Sequence, residues 1–441
     1  MGIKGFNAFL KKKVNVVQLQ RLRQKLTEIA SLFPVDHQIR TFIEQNVIPL
    51  KATEEVLEQM KLVVEALRPM NLMQTNELMR VITMELPLIA AYDPLHKRIP
   101  LSGLRGKRLA LDANNWMFMH ISVAHRRTVG ATDVMVEEVD RALTVRMWLT
   151  KLLDDVCLYL TYGVTPVFVF DGEYPIEKKL TKEKRVEKKV NVRERIGELR
   201  TALDETDILE RTDEMVSEYK KLLCQNTYVS REEVDLMKQV LEGLGIPWIQ
   251  ARCEGEKLCT ILAIEGKVAA VFSNDTDNLT YGCPCLLTHF EGQVEGSHAL
   301  LSTGIKDILE LLEIPYQTFV DLCIMSGCDY NENIKNLGIG KAYKLLQQHQ
   351  SIDCLPAKHD TTILNHKRCR ELFAYTNSTG LISTGYMNVQ PERLQEGARD
   401  ILTGVQLSHY LYKLVPLYQK LPPPQDIDMR PPSRPKLTIL D

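Results

Sequence analysis

The sequence predicts an α/β fold whose centre is a mostly parallel sheet flanked by helices, and three observations predict it. Short, almost wholly apolar runs recur along the chain, as in Leu-Ala-Leu-Asp112, Phe-Val-Phe-Asp171 and Val-Phe-Ser-Asn-Asp275-Thr-Asp277. Runs of this kind are strands buried on both faces, as in parallel sheets. Longer stretches with helical periodicity separate them, the pattern of strand–helix–strand units. Each run also stops abruptly in acid, and ligands of open parallel sheets bind outside the carboxyl ends of the strands.

In chain order, residues 1–13 read as a short helix ending in Lys11-Lys12-Lys13, an opening segment of the domain that carries the sheet. Residues 14–98 read as an inserted helical module. Three apolar stripes mark it: Leu19, Leu22, Leu26 and Ile29; then Val56, Met60, Val63 and Leu67, between a Thr53 cap and a Pro69 stop; then Leu78, Val81, Ile82 and Leu86, stopped by Pro87. Met60, Met70, Met73, Met79 and Met84 are read as core rather than as an adaptable binding face. Residues 99–172 form the first half of the sheet domain, with a helix at 136–160 closed by Tyr162-Gly163. Residues 173–245 are helical and charged. Residues 246–350 resume the sheet with Ile246-Pro-Trp-Ile, acids at 254 and 256, a helix over 258–265, a strand over 267–272 and a helix over 316–327 leading to Asp329. Within this half, 329–350 is a distinct segment, with Gly338-Ile339-Gly340 at the start of a helix. Residues 351–420 read as mainly helical, and 421–441 as a Pro-rich disordered tail.

Composition excludes several classes. Net charge is −2, with 25% charged and 44% hydrophobic residues, an ordinary balance for a globular protein. The ten cysteines are scattered, and Cys283-Pro-Cys285 is too tight for a usual zinc or thioredoxin-like motif. Free thiols in that number fit a reducing, intracellular compartment. The first residues lack the apolar stretch of a signal peptide, and Phe6 stands where myristoylation needs Ser or Thr. No window approaches 18 uncharged apolar residues, so no membrane span is expected.

Seven acids carry the chemistry: Asp112, Asp171, Glu254, Glu256, Asp275, Asp277 and Asp329. Any one of them reads most simply as a helix cap after a strand. Two i,i+2 pairs plus three further strand-end acids in one chain read as a site. So many like charges near neutral pH need hard cations to hold them together. Two such ions suit hydrolysis of a phosphodiester, one beside the attacking water and one beside the leaving oxygen.

A basic run answers the acids. Between 178 and 200 there are ten Lys or Arg and only four Glu. A solvated helix face would pair opposite charges four apart. Here Lys178 precedes Lys182, Glu183 precedes Glu187, Lys184 precedes Lys188 and Arg185 precedes Lys189, so like stacks on like. Lys178 and Arg185, seven apart, share a face. Cations there, with Lys179, Lys188 and Lys189, would meet an incoming phosphate. The glycines of Gly338-Ile-Gly340 would expose backbone N–H groups beside Lys341 to phosphates.

Taken together these residues resemble the flap endonuclease and XPG-type structure-specific 5′ nucleases, a PIN/XPG-like fold, most closely the flap endonuclease branch. Met-Gly-Ile-Lys-Gly, Leu-Ala-Leu-Asp112-Ala, Val-Phe-Val-Phe-Asp171-Gly, Glu254-Gly-Glu256, Asn-Asp275-Thr-Asp277 and Cys-Asp329-Tyr fall in family order. The resemblance implies two Mg²⁺ per site, replaceable by Mn²⁺, held by the seven acids. It implies catalytic roles for Lys178 and Arg185 at the base of a helical arch, and a place for Gly2 near the active site. Phe118 stands where the family has a base-stacking tyrosine. The segment 329–350 resembles the helix–two-turn–helix that grips duplex DNA beside a K⁺ ion, with Asn336 where glycine is common. The implied activity is 5′ flap endonuclease and 5′→3′ exonuclease on DNA in replication and repair, in the nucleus or, for a viral source, a viral replication compartment. A catalytically silent DNA-junction-binding protein on the same fold is the alternative, and an RNA-directed nuclease of the PIN type a third. Two departures stand out. Most of 14–98 is extra, and is read as a module for a replication or repair partner. The usual sliding-clamp-binding box is missing from the tail. A monomer is expected.

Overall fold

A computed structural model describes residues 3–31, 38–67, 93–135, 138–207, 210–393 and 396–421. Gly2, the third apolar stripe at 78–86 with Met70, Met73, Met79 and Met84, the stops at Pro69 and Pro87, and the tail from 422 lie outside the described residues. The chain divides into two compact units, Gly2–Lys97 with Asp307–Ile314, and Arg98–Lys306 with Pro315–Asp441 and Met1.

Eight strands form one sheet in the order β1-β7-β6-β5-β2-β3-β4-β8. They are β1 (Lys97–Pro100), β2 (Arg108–Asp112), β3 (Thr165–Phe170), β4 (Trp248–Ala251), β5 (Ala270–Phe272), β6 (Leu286–Val294), β7 (Ser297–Thr303) and β8 (Ile382–Gly385). The middle is parallel, as the apolar runs predict: β2 pairs with β3 and β5, β3 with β4, and β5 with β6. Leu109, Ala110 and Leu111 of β2 and Val167, Phe168 and Val169 of β3 are completely buried. A single core joins Leu109 and Leu111 of β2 and Phe168 of β3 to Trp116, Trp148, Leu152, Leu153 and Tyr159 on the covering helices Ala113–Ala131 and Arg141–Thr161. Strands sandwiched by helices have no polar face, so their sequence carries no alternation.

Antiparallel additions close both sides. β6 and β7 form a hairpin, and β8 pairs antiparallel with β4. β8 lies inside 351–420, read from sequence as mainly helical. It is a four-residue edge strand, Ile-Ser-Thr-Gly, with one half-buried residue and three exposed, too short and polar to show a period. The stretch 173–245 is mostly helical, as predicted, and carries the helices Lys179–Glu205, Asp213–Gln225 and Arg231–Gly243. Leu199, Leu203 and Tyr219 build a small core there with Val129 and Val134. Residues 179–198 of the first of these helices include no fully buried side chain.

The smaller unit opens on one continuous helix, Ile3–Ser31, where the sequence reading ends a short helix at Lys13. Lysine is a good helix former, so three in a row interrupt nothing, and no Gly or Pro intervenes between Gly5 and Pro34. Leu22, Leu26 and Ile29 pack against Val56, Met60 and Val63 of the helix Thr53–Leu67. The first predicted stripe and Val56, Met60 and Val63 of the second therefore form a core, while the side chain of Leu67 lies outside the described residues. Among the described residues no helix is long and apolar enough to cross a membrane.

Candidate active site

Four parallel strands deliver their acids at one edge of the sheet. Asp112 is the last residue of β2, and Asp171 follows β3 directly. Glu254 ends the loop after β4, with Glu256 in the first turn of the helix Gly255–Ile264. Asp275 follows β5, with Asp277 opening the short helix Asp277–Thr280. Asp329 lies just beyond the helix Tyr316–Ser326.

The backbone is fitted closely here. Gly172 N–H donates to Cys253 O at 2.7 Å, and a Cβ on Gly172 would lie 2.2 Å from Ala251 O. Gly255 N–H donates to Asp171 Oδ1 at 2.7 Å, and a Cβ on Gly255 would stand 3.0 Å from that same oxygen. Glycine at both positions lets the β3 and β4 ends approach. Asn114 Oδ1 accepts from Asp171 N–H at 3.0 Å, Asn115 Oδ1 accepts from Asn274 N–H at 3.3 Å, and Gln250 Nε2 donates to Asp171 O at 2.6 Å. Asp112 also caps its helix, accepting from Asn115 N–H at 3.0 Å. The capping role that sequence offers for a lone strand-end acid is therefore real, and it coexists with membership of the cluster.

Electrostatics bind the acids into one system. Burial first, and then the charges of Asp171 and Asp275, push Asp112 up to about 8. Burial and then Asp275 push Asp277 up to about 7. Glu256 is raised well above the usual carboxylate range by burial, then by Asp275 and Asp277. Each carboxyl is thus costly to ionise in the company of the others.

Two cations enter this cluster from the helical region. Lys178 caps the helix Lys179–Glu205; its Nζ contacts Glu254 Oε1 and lies 3.1 Å from Asp329 Oδ2. Burial opposes its charge, but Glu256, Glu254 and Asp329 outweigh burial and hold the ammonium above the usual lysine range. Two turns on, Arg185 donates to both oxygens of Asp329, at 2.8 and 3.0 Å. Burial opposes the charge on Asp329 too, but Lys178 and Arg185 hold its carboxyl below the usual aspartate range. The shared face inferred from their seven-residue spacing is what lets both reach one carboxylate.

Other predicted residues stand further out. Phe118, on the helix that Asp112 caps, is 51% exposed and free to stack. Lys179, Lys188 and Lys189 are exposed along the charged helix. Gly338 caps the helix Ile339–His349, and a Cβ at Gly338 or Gly340 would meet nothing within 4 Å, so the open space faces outward. Asn336 takes a left-handed φ of 61°, a conformation asparagine tolerates. Lys341 Nζ donates to Asn336 O at 3.0 Å.

Sequence reasoning missed Tyr330 and Tyr281. Tyr330 Oη donates to Glu254 Oε2, and the two tyrosine hydroxyls lie 2.5 Å apart. An apolar setting makes a tyrosine read as core, and only the acid beside Tyr330 marks it.

The donor set is entirely oxygen, which fits hard divalent cations. Among the described residues no three His, Cys, Asp or Glu side chains converge tightly enough to enclose an ion by themselves. Magnesium keeps several waters and binds through one or two carboxylates rather than an all-protein cage. Spread acids of this kind fit such an ion, and do not fit a structural zinc site.

Comparison with known proteins meets this geometry. The XPG N-terminal domain matches residues 86–192 and the XPG I-region residues 245–329, so the two matched stretches carry all seven acids, Lys178 and Arg185. Flap endonuclease 1 of Candida dubliniensis is 33% identical over 269 residues, covering 60% of this chain and 67% of the relative. The chain belongs to the flap endonuclease family. Flap endonuclease 1 of Lodderomyces elongisporus is 32% identical over 269 residues, 60% of this chain and 65% of that protein; the chain spans about two thirds of the length of these relatives. Among solved structures, flap endonuclease-1 from Methanococcus jannaschii shares the fold, at 22% identity and a TM-score of 0.50, over 74% of this chain and 96% of that one. This family membership accounts for the parallel sheet and its helical charged region.

Proposed function

We propose that the chain is a structure-specific 5′ nuclease that hydrolyses DNA phosphodiesters at 5′ flaps and 5′ ends in replication and repair. The observation that carries the reading is the meeting of seven strand-end and loop acids with Lys178 and Arg185 on one helical face. Mg²⁺, or Mn²⁺ in its place, would be held by Asp112, Asp171, Glu254, Glu256, Asp275, Asp277 and Asp329. Divalent ions there supply an activated water and a counter-charge for the leaving oxygen.

The protein groups do the rest. Lys178 and Arg185, now paired with Glu254 and Asp329, turn to the scissile phosphate and meet the negative charge that develops on it. Phe118 stacks on a base beside that phosphate. Lys179, Lys188 and Lys189 draw in the strand, and the N–H groups around Gly338 and Gly340, with Lys341, meet the backbone of the flanking duplex. The helical module serves a replication or repair partner, and the protein works as a monomer in the nucleus or a viral replication compartment.

The alternative, a silent junction-binding protein, calls for loss of an acid or of Lys178, and none is lost. The test compares 5′-flap DNA, nicked DNA and single-stranded RNA with Mg²⁺ and with chelator. Preferred, metal-dependent cleavage of the flap is expected. Tight binding with no cleavage in any metal would favour the silent reading, and preferred RNA cleavage the third one.

A further inference from the structure

One buried feature of the site has no part in the roles above. Glu254 is held at both carboxylate oxygens, Oε1 by Lys178 and Oε2 by the hydroxyl of Tyr330. A tyrosine has one proton to give, and Tyr330 gives it to Glu254. The hydroxyl of Tyr281, 2.5 Å away, must therefore be the donor in its contact with Tyr330. The result is a one-way chain, Tyr281 to Tyr330 to Glu254, in which each bond polarises the next.

The chain also joins the three segments that bear most of the acids. Tyr281 N–H donates to Asp277 O at 3.0 Å, closing the short helix that Asp277 opens. Tyr330 directly follows Asp329. Glu254 is the residue that starts the Gly255–Ile264 helix. Both phenol rings are almost fully buried, and both pack on Phe373, at centroid distances of 5.1 and 5.3 Å. The rings have no room to turn away, so the hydroxyls are fixed in place. Packing alone would be served as well by phenylalanine; the two hydroxyls add only the hydrogen bonds.

We propose that Tyr330 is a positioning residue, backed by Tyr281, whose hydroxyl locks the Glu254 carboxylate in the orientation that divalent cation binding requires. The proposal rests on the nuclease reading. When Lys178 leaves Glu254 Oε1 for a phosphate, Tyr330 keeps the carboxylate from following it, and Oε1 is left facing the site. Partners of this kind, one step behind a ligand, typically change metal affinity or activity about 10- to 100-fold.

Tyr330→Phe removes one oxygen and keeps the ring packing. Mn²⁺ binding to the DNA-free protein, followed by electron paramagnetic resonance, is expected to weaken about 10-fold. The Mg²⁺ concentration for half-maximal single-turnover cleavage should rise in parallel, with flap affinity in Ca²⁺ unchanged and the rate partly restored by excess Mg²⁺. Tyr281→Phe, which spares the bond to Glu254, should show a smaller effect of the same sign. The double variant should be no worse than Tyr330→Phe, because Tyr281 acts only through Tyr330. Wild-type Mn²⁺ affinity in Tyr330→Phe, or additive losses in the double variant, would overturn the proposal. A wild-type protein that binds Mn²⁺ but cleaves no DNA would instead sink the nuclease reading, with the Mn²⁺ titrations still deciding the role of Tyr330.

Discussion

The acid floor and the charged helix above it are built by opposite means. The floor is fixed by long-range structure: parallel strand pairing, two glycines at close backbone approach, and side-chain hydrogen bonds between segments as much as 161 residues apart. The helix Lys179–Glu205 is held mostly by its own backbone, with only Leu199 and Leu203 buried, near its far end. At its near end it is tied down by Lys178 on Glu254 and Asp329, by Arg185 on Asp329, and by Thr181 Oγ1, which donates to Asp329 O at 3.0 Å. The floor is rigid by packing, and the helix is anchored by charge. Changes in the floor should therefore remove chemistry outright, whereas changes on the helix should remove alignment.

Asp275→Ala should have the largest effect. Losing one carboxylate from a coupled cluster should cut the single-turnover rate more than about 100-fold, with flap binding in Ca²⁺ nearly unchanged; a variant keeping a tenth of the wild-type rate would contradict the floor's role. Lys178→Ala and Arg185→Ala come next, each lowering that rate by about 10- to 1000-fold with a much smaller change in dissociation constant. If only the dissociation constant rose, these side chains would merely position phosphate.

Gly338→Val with Gly340→Val tests the outer surface. Neither position is crowded within the protein, so the fold should survive. Binding to the downstream duplex should weaken, and its salt slope should become shallower by about one for each phosphate no longer held. An unchanged slope would remove this turn from the DNA interface. Leu26→Ala should matter least to chemistry. It opens a cavity in the small helical unit and should cost that unit about 2–5 kcal/mol, read as a lower thermal transition. Cleavage of a bare flap should stay within about twofold; a large loss of rate would tie the helical unit to the active site.

What the sequence reveals follows the same contrast. The parallel strands are legible because burial on both faces leaves an unmistakable apolar run, and the acids because each run ends in one. Lys178 and Arg185 are legible because helix geometry puts residues seven apart on one face. The clamp on Glu254 is not: Tyr281 and Tyr330 lie 49 residues apart, and only the fold makes them neighbours. Asn114, Asn115 and Gln250 are hidden for the same reason, each serving the backbone of a distant segment. β8 carries no period because an edge strand of four residues needs none, and the long first helix defeats a reading that lets a lysine run end it.

The central claim is that this floor cuts DNA beneath the charged helix, and mapping the cleavage site tests it most directly. A 5′-labelled double-flap substrate should yield one dominant product, released at the junction of flap and duplex, only with Mg²⁺ or Mn²⁺, and absent with Asp275→Ala. Products scattered along the single strand, or the same product from Asp275→Ala or in chelator, would contradict it.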